Sequence, residues 1–165
     1  MKPEGLACDW INNNIYWTDS ETKRIEVASV HPELKSSIKA EFENRRVLVW
    51  EDLDLPRSIA VAPNEGWMFW TDWGEIPKIE RAGMNGARRD VIVERDIVWP
   101  NGLTLDYENR LLYWVEAKEA MQQIGVVNWE GRGRRIILKS REALPQPFAI
   151  SLYHSELYWT DWTTK

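Results

Sequence analysis

Three aspartates, each preceded by Trp-Thr, are the first candidates for chemistry in this sequence: Asp19, Asp72 and Asp161. Paired carboxylates can carry out acid–base catalysis, as they do in glycoside hydrolysis. Each of these aspartates, however, stands at the same place in a repeated segment, so they are expected to lie apart rather than around one substrate. We therefore predict that each carboxylate accepts hydrogen bonds from a backbone turn. The same reasoning excludes three adjoining threonines as nucleophiles, namely Thr18, Thr71 and Thr160.

No other residue pattern predicts a catalytic centre. The two histidines, His31 and His154, do not have metal-ligand spacing, and the glycine-containing turns do not form a phosphate-binding loop. The single cysteine, Cys8, excludes an internal disulfide, and we expect it to be a small buried apolar side chain. The sequence therefore predicts a protein that is not an enzyme and holds no metal or cofactor.

The charge of the chain limits the class of partner. Lys and Arg total 21 and Asp and Glu total 26, which gives a net charge of −5 and no support for nucleic-acid binding. The arginine pairs 45–46, 88–89 and 134–135 recur once per repeat, which favours a solvated face. No apolar run approaches about 18 residues, and the N-terminus lacks the apolar core of a signal peptide, so neither element is predicted here.

An internal repeat organises the chain. Its clearest marks are the segments "NNIYWTDS", "GWMFWTDW", "RLLYWVEA" and "ELYWTDW", whose aligned tryptophans are Trp17, Trp70, Trp114 and Trp159, spaced by 53, 44 and 45 residues. A proline precedes each tryptophan by 12 to 14 residues: Pro3, Pro56, Pro100 and Pro147. Each full unit holds four short runs rich in Val, Ile, Leu, Tyr and Trp, separated by turn sequences. Four strands in about 44 residues match one blade of a β-propeller.

Two local features add to this pattern. Along "MFWTDW", Met68 and Trp70 are predicted to point to one face and Phe69 to the other, because successive strand residues alternate. The first unit is longer, and the extra residues lie at 31–45. Apolar residues recur there at every fourth position, so we predict a short amphipathic helix near 32–43, with a disordered loop as the alternative.

The repeated "YWTD" with its period of about 44 residues resembles the six-bladed propellers of the low-density lipoprotein receptor family. The segments "GLACDW", "IYWTDSETKRIEVA", "WTDWGEIPKIERAGMNG" and "WPNGLTLDYE" are similar to the first propeller of the Wnt co-receptors of the arrow type. The resemblance implies one all-β domain over residues 1–165 with about three and a half of the six blades. The expected blades span 3–52, 56–97 and 100–142, with a half blade at 147–165.

The resemblance also implies a function. We expect an extracellular protein-binding module of a single-pass receptor at the plasma membrane, with the signal peptide and membrane span in other parts of that receptor. Its expected partners are secreted proteins, either Wnt ligands or Wnt inhibitors that carry an Asn-x-Ile loop. The alternative is a propeller of an endocytic or agrin-receptor-like member of the family, and a propeller hydrolase is the least favoured interpretation.

The family's ligand surface maps onto seven residues. Asn101 matches the position that meets the asparagine of the ligand, although Asn-Gly is also an ordinary turn pair. The other expected site residues are aromatic or charged: Trp73, Trp99, Trp162, Phe148, Arg57 and Glu21. Packing between blades is the alternative role for the aromatic residues, and simple solvation is the alternative for Arg57 and Glu21.

Three positions near this surface depart from the family pattern. Glu116 replaces the repeat aspartate, and we expect its longer side chain to miss the turn hydrogen bonds. Val98 and Gln146 stand where the co-receptors usually have Tyr and His. These departures predict an altered ligand preference.

Overall fold

The computed structural model describes residues 1–30 and 44–163, and within these ranges fourteen β-strands form four antiparallel sheets. The first sheet contains β1 (Pro3–Asp9), β2 (Asn14–Asp19), β3 (Arg24–Ser29) and β4 (Arg46–Val49). The second contains β5 (Pro56–Ala62), β6 (Trp67–Asp72), β7 (Lys78–Gly83) and β8 (Asp90–Val93). The third contains β9 (Pro100–Asp106), β10 (Leu111–Glu116), β11 (Gln123–Asn128) and β12 (Arg135–Lys139). The fourth is a hairpin of β13 (Pro147–Tyr153) and β14 (Glu156–Asp161).

In each sheet the strands are paired in chain order, as the repeat predicts. The all-β fold and its four-stranded units are therefore confirmed. The helix predicted near 32–43 lies outside the described residues. No helix in the described part of the chain is long and apolar enough to cross a membrane.

The core lies between the sheets, and β6 contributes to it from both faces. Met68 and Trp70 pack with Tyr16 of the first sheet, while Phe69 packs with Trp129 beside the third sheet. All three β6 side chains are fully buried. The predicted alternation is confirmed, and it explains why consecutive large apolar residues are needed: each face of the strand meets a different sheet.

The innermost strands β1, β5, β9 and β13 are neighbours from one sheet to the next. Small residues at their third position allow this close approach. A Cβ atom on Gly102 would lie 2.7 Å from the Cα of Ala149, and one on Gly5 would lie 2.3 Å from the carbonyl oxygen of Arg57. A larger side chain at either glycine would push two sheets apart.

The aspartates of the repeat close turns, as predicted. The carboxylate of Asp72 accepts hydrogen bonds from the backbone N–H groups of Asp54, Leu55 and Gly74 at 2.9, 2.8 and 3.1 Å. Asp19 also accepts three backbone N–H bonds, two of them from donors at the same sequence offsets. Burial acts to raise the pKa of Asp19, but these bonds outweigh it and the pKa lies below its usual value.

The expectation for Glu116 was wrong. Its carboxylate accepts hydrogen bonds from the N–H groups of Val98, Trp99 and Lys118 at 2.8, 2.6 and 3.2 Å. These donors have the same sequence offsets as the donors to Asp72, so the extra methylene is accommodated without losing a bond. Burial nevertheless raises the pKa of Glu116 above its usual value, and the three bonds only oppose this shift.

The expectation for Cys8 was also wrong, because its side chain is exposed. Cys8 shares one face of β1 with Leu6, which is also exposed, whereas Ala7 points to the opposite face and packs toward the second sheet. The face that carries Cys8 is not covered by another described sheet. Local sequence predicts the alternation but not which face a neighbouring sheet covers.

Candidate ligand-binding site

The second residue of every innermost strand lines one small pocket of about 90 Å³. We call these four residues the strand-start cluster: Glu4, Arg57, Asn101 and Phe148. Three of these residues, Arg57, Asn101 and Phe148, belong to the predicted ligand site. Glu4 was not predicted. The aligned prolines could have identified it, since Glu4 directly follows Pro3 just as each of the other three residues directly follows its own aligned proline.

Arg57 is the centre of the cluster. Its Nη1 lies 3.1 Å from Oε2 of Glu4, and both side chains are largely buried. Its guanidinium also lies 4.2 Å from the ring centroid of Trp73 and 5.4 Å from that of Phe148. Burial lowers the pKa of Arg57, and the charge of Glu4 opposes that shift. The guanidinium is thus held between two rings and balanced by one carboxylate.

Asn101 lies beside Arg57 and is only 6% exposed. Its Nδ2 donates to the carbonyl oxygen of Pro147 at 3.1 Å, while its Oδ1 has no hydrogen-bond partner in the described part of the chain. A buried acceptor without a partner costs free energy, so it marks a place where an N–H donor from outside the chain would be stabilised. Nδ2 therefore joins β9 to β13, whereas Oδ1 makes no described hydrogen bond.

The four predicted aromatic residues form two pairs next to the cluster. The rings of Phe148 and Trp162 stack at 4.6 Å, and those of Trp73 and Trp99 meet edge-on at 6.0 Å. Arg57 joins the pairs, because its guanidinium lies over both Trp73 and Phe148. The outer members, Trp162 and Trp99, are 67% and 40% exposed. The result is a set of rings, the outer ones exposed, around a largely buried cation. Aromatic and arginine side chains carry much of the binding energy in protein interfaces.

Glu21 lies apart from this surface in the contacts described for it. Its carboxylate forms an ion pair with the N-terminal ammonium group of Met1. Val98 and Gln146, the two other departures from the family pattern, donate backbone N–H groups to Glu116 and Asp161. The structure thus brings six of the seven predicted residues together and leaves Glu21 outside.

Comparisons with known proteins agree with this architecture. Residues 66–107 match the family "Low-density lipoprotein receptor repeat class B". The chain is 42% identical over 163 residues to the vitellogenin receptor Yl of Drosophila melanogaster, covering 99% of the chain and 8% of that protein. It is 35% identical over 160 residues to the human low-density lipoprotein receptor-related protein 5-like protein, covering 97% of the chain and 58% of that protein.

Solved structures support the propeller. A chain of the nidogen/laminin complex superposes with a TM-score of 0.83 at 36% identity, covering 98% of this chain and 56% of the other. A Xanthomonas campestris gluconolactonase superposes with a TM-score of 0.62 at 16% identity, which shows the fold alone. Both of these sequence relatives have names that contain the word receptor. Residues 66–107 are therefore a low-density lipoprotein receptor class B repeat, and the chain that contains them is folded as part of a YWTD-type β-propeller similar to those of the LDL receptor family.

Proposed function

We propose that these repeats form the extracellular protein-binding module of an endocytic receptor, and that a secreted protein docks on the strand-start cluster and its flanking rings. The identity to a vitellogenin receptor favours a ligand of the vitellogenin class over a Wnt ligand. In this function the module acts by recognition at the extracellular face of the plasma membrane, and no covalent step takes place.

One observation carries this proposal. Exposed rings surround a buried cation and an unpaired buried acceptor in one place. Packing between sheets explains buried rings, but it does not explain why Trp99 stays 40% exposed beside Trp73, where both neighbouring sheets have all four strands. Exposed aromatic residues around a partly dry polar centre are the usual composition of a binding hot spot.

A Wnt co-receptor function is the second candidate, and a specific observation favours it. The chain is 35% identical to the human LRP5-like protein, and Oδ1 of Asn101 can accept an N–H donor from a ligand amide. An Asn-x-Ile loop of a secreted inhibitor offers that amide. The two candidates therefore use the same surface and differ in the ligand.

The test compares two exposed tryptophans. Trp162→Ser removes a ring of the proposed surface, and Trp10→Ser is the matched control because Trp10 is 56% exposed and packs edge-on against Tyr107 instead. Surface plasmon resonance of the full chain against vitellogenin is expected to show about tenfold weaker binding for Trp162→Ser alone. Equal affinities for the two variants would contradict the proposal that the ligand docks on the strand-start cluster and its flanking rings. Binding of an Asn-x-Ile peptide, but not vitellogenin, would select the second candidate.

A further inference from the structure

We infer that the ligand surface continues outward along residues 73–77 into a second groove, which takes a basic segment of the ligand that also carries an apolar side chain. The inference rests on the proposed function, because Trp73 of the flanking rings begins the loop that borders this groove. It extends that function by assigning a charge and a polarity to a second part of the ligand.

The groove lies where the connection between β4 and β5 passes residues 73–77, and its volume is about 660 Å³. We call it the outer groove. Its apolar side chains are Leu53, Ile76 and Val91, and all of its other lining side chains are charged. Ile76 is 76% exposed, which is the largest exposure of any large apolar side chain in the described part of the chain, and Val91 is exposed as well. Apolar side chains therefore lie open to solvent beside charged ones.

The loop that carries Ile76 is held in place by hydrogen bonds. The backbone N–H of Glu75 donates to Oδ2 of Asp54 at 2.9 Å, and the backbone N–H of Asp54 donates to the carboxylate of Asp72 at the same distance. Nζ of Lys23, from the first sheet, donates to Oδ1 of Asp54 at 2.6 Å, and this bond holds the pKa of Asp54 below its usual value. An apolar side chain on a fixed loop loses little conformational entropy when a ligand covers it, which favours binding.

The cations of the outer groove already have partners, but two of its carboxylates do not. Arg89 donates to both carboxylate oxygens of Glu80 at 2.9 Å, and Nζ of Lys78 lies 3.6 Å from the same carboxylate. Asp52 and Glu75 are exposed, and neither forms an ion pair within the residues that the structure describes. The charge that the outer groove offers to a ligand is therefore negative, and it complements a lysine or an arginine.

These two features together favour one kind of ligand segment. Because Ile76 directly follows Glu75, a ligand cation that pairs with Glu75 brings the neighbouring ligand residues close to Ile76. An apolar neighbour then covers the Ile76 side chain, which contributes more than an exposed ion pair does alone. An acidic segment is repelled by Asp52 and Glu75, so the outer groove should select by charge as well as by polarity.

The first test follows the isoleucine methyl resonances of the full chain by NMR during titration with the peptides Lys-Leu-Lys-Leu-Lys and Glu-Leu-Glu-Leu-Glu. The basic peptide is expected to shift the Ile76 methyl resonances to saturation, and the acidic peptide is expected to leave them unchanged. In Glu75→Gln the midpoint of the basic titration should rise at least about threefold. Glu108→Gln is the matched control, since it removes an exposed carboxylate outside the outer groove and should keep the midpoint. Unmoved Ile76 resonances, or equal shifts with both peptides, would overturn the inference.

The second test separates the outer groove from the strand-start cluster. Surface plasmon resonance of the full chain against vitellogenin is expected to show about fivefold weaker binding for Ile76→Ser. Ile11→Ser is the control and should bind normally, because Ile11 is also exposed, at 49%, but lies in the turn between β1 and β2.

The two proposals fail in different ways. If Trp162→Ser weakens vitellogenin binding and Ile76→Ser does not, the proposed function stands and the outer groove is overturned. If Ile76→Ser weakens binding and Trp162→Ser does not, the outer groove is supported and the docking of the ligand on the strand-start cluster is contradicted.

Discussion

The hydroxyl of Thr71 donates a hydrogen bond to the carbonyl oxygen of Asn101, 2.9 Å away on the next sheet. The same oxygen of Thr71 accepts a bond from the backbone N–H of Ser58 on its own sheet at 3.0 Å. Thr18 makes the equivalent pair of contacts with Gly5 and with the carbonyl oxygen of Arg57. The repeat threonines therefore fix the backbone of the residues that line the proposed site.

Replacing Thr71 by valine should destabilise the fold. Thr71→Val keeps the shape but leaves the N–H of Ser58 and the carbonyl oxygen of Asn101 without this partner in a buried place. We expect a loss of about 1–3 kcal/mol in the free energy of unfolding, measured by urea denaturation. Thr160→Val is the control, because Thr160 is exposed and accepts one bond from Ala149. Equal losses in the two variants would show that the bond between the sheets contributes nothing.

Adding a methyl group at Gly102 should separate two innermost strands. In Gly102→Ala the new Cβ would lie 2.7 Å from the carbonyl oxygen of Phe148 and from the Cα of Ala149, which are both backbone atoms. We expect a destabilisation of about 1–3 kcal/mol by urea denaturation. Stacking of Phe148 with Trp162 should also be disturbed, which near-ultraviolet circular dichroism can detect. A variant with unchanged stability and spectrum would contradict the close approach of β9 and β13.

Two of the turn-closing carboxylates, Asp19 and Glu116, should respond to pH in opposite ways. The folded-state pKa of Asp19 is lowered, so its stabilisation is present above its unfolded value and is lost as the pH falls below about 4. The folded-state pKa of Glu116 is raised, so its contribution is greatest below about pH 4 and decreases as the pH rises through the folded value.

Unfolding free energies between pH 3 and 7 can test this contrast. The stability difference between the unsubstituted chain and Asp19→Asn should shrink toward low pH, whereas the difference for Glu116→Gln should shrink toward neutral pH. Parallel pH profiles for the two differences would contradict the opposed shifts.

The fold could be predicted because its information is local and repeated. The aligned prolines begin all four innermost strands, at Pro3, Pro56, Pro100 and Pro147. The alternation in β6 identified which side chains share a face. The sequence does not show whether another sheet covers a given face of a strand. Cys8 alternates as expected, yet its face of β1 is not covered by a described sheet.

The site was predictable in part. Arg57, Asn101 and Phe148 came from the family resemblance, and the structure shows that they converge in one pocket. Glu4 was missed because the resemblance did not supply it, although it follows Pro3 as the other three residues follow their prolines. The second residues of the innermost strands approach one another, so all four repeat-equivalent positions meet in the pocket. The prediction that Glu116 would miss the turn hydrogen bonds was wrong, because the residue type alone does not show whether the turn can accommodate one extra methylene group.

The most direct test of the account is the affinity of Asn101→Ala for its ligand. The full chain and this variant are to be titrated with vitellogenin and with an Asn-x-Ile peptide, and thermal unfolding is to be measured in parallel to confirm that both chains are folded. We predict at least about tenfold weaker binding of the recognised ligand by the variant, because the buried Oδ1 acceptor is removed. Equal affinities in two folded proteins would contradict the assignment of the strand-start cluster as the ligand site.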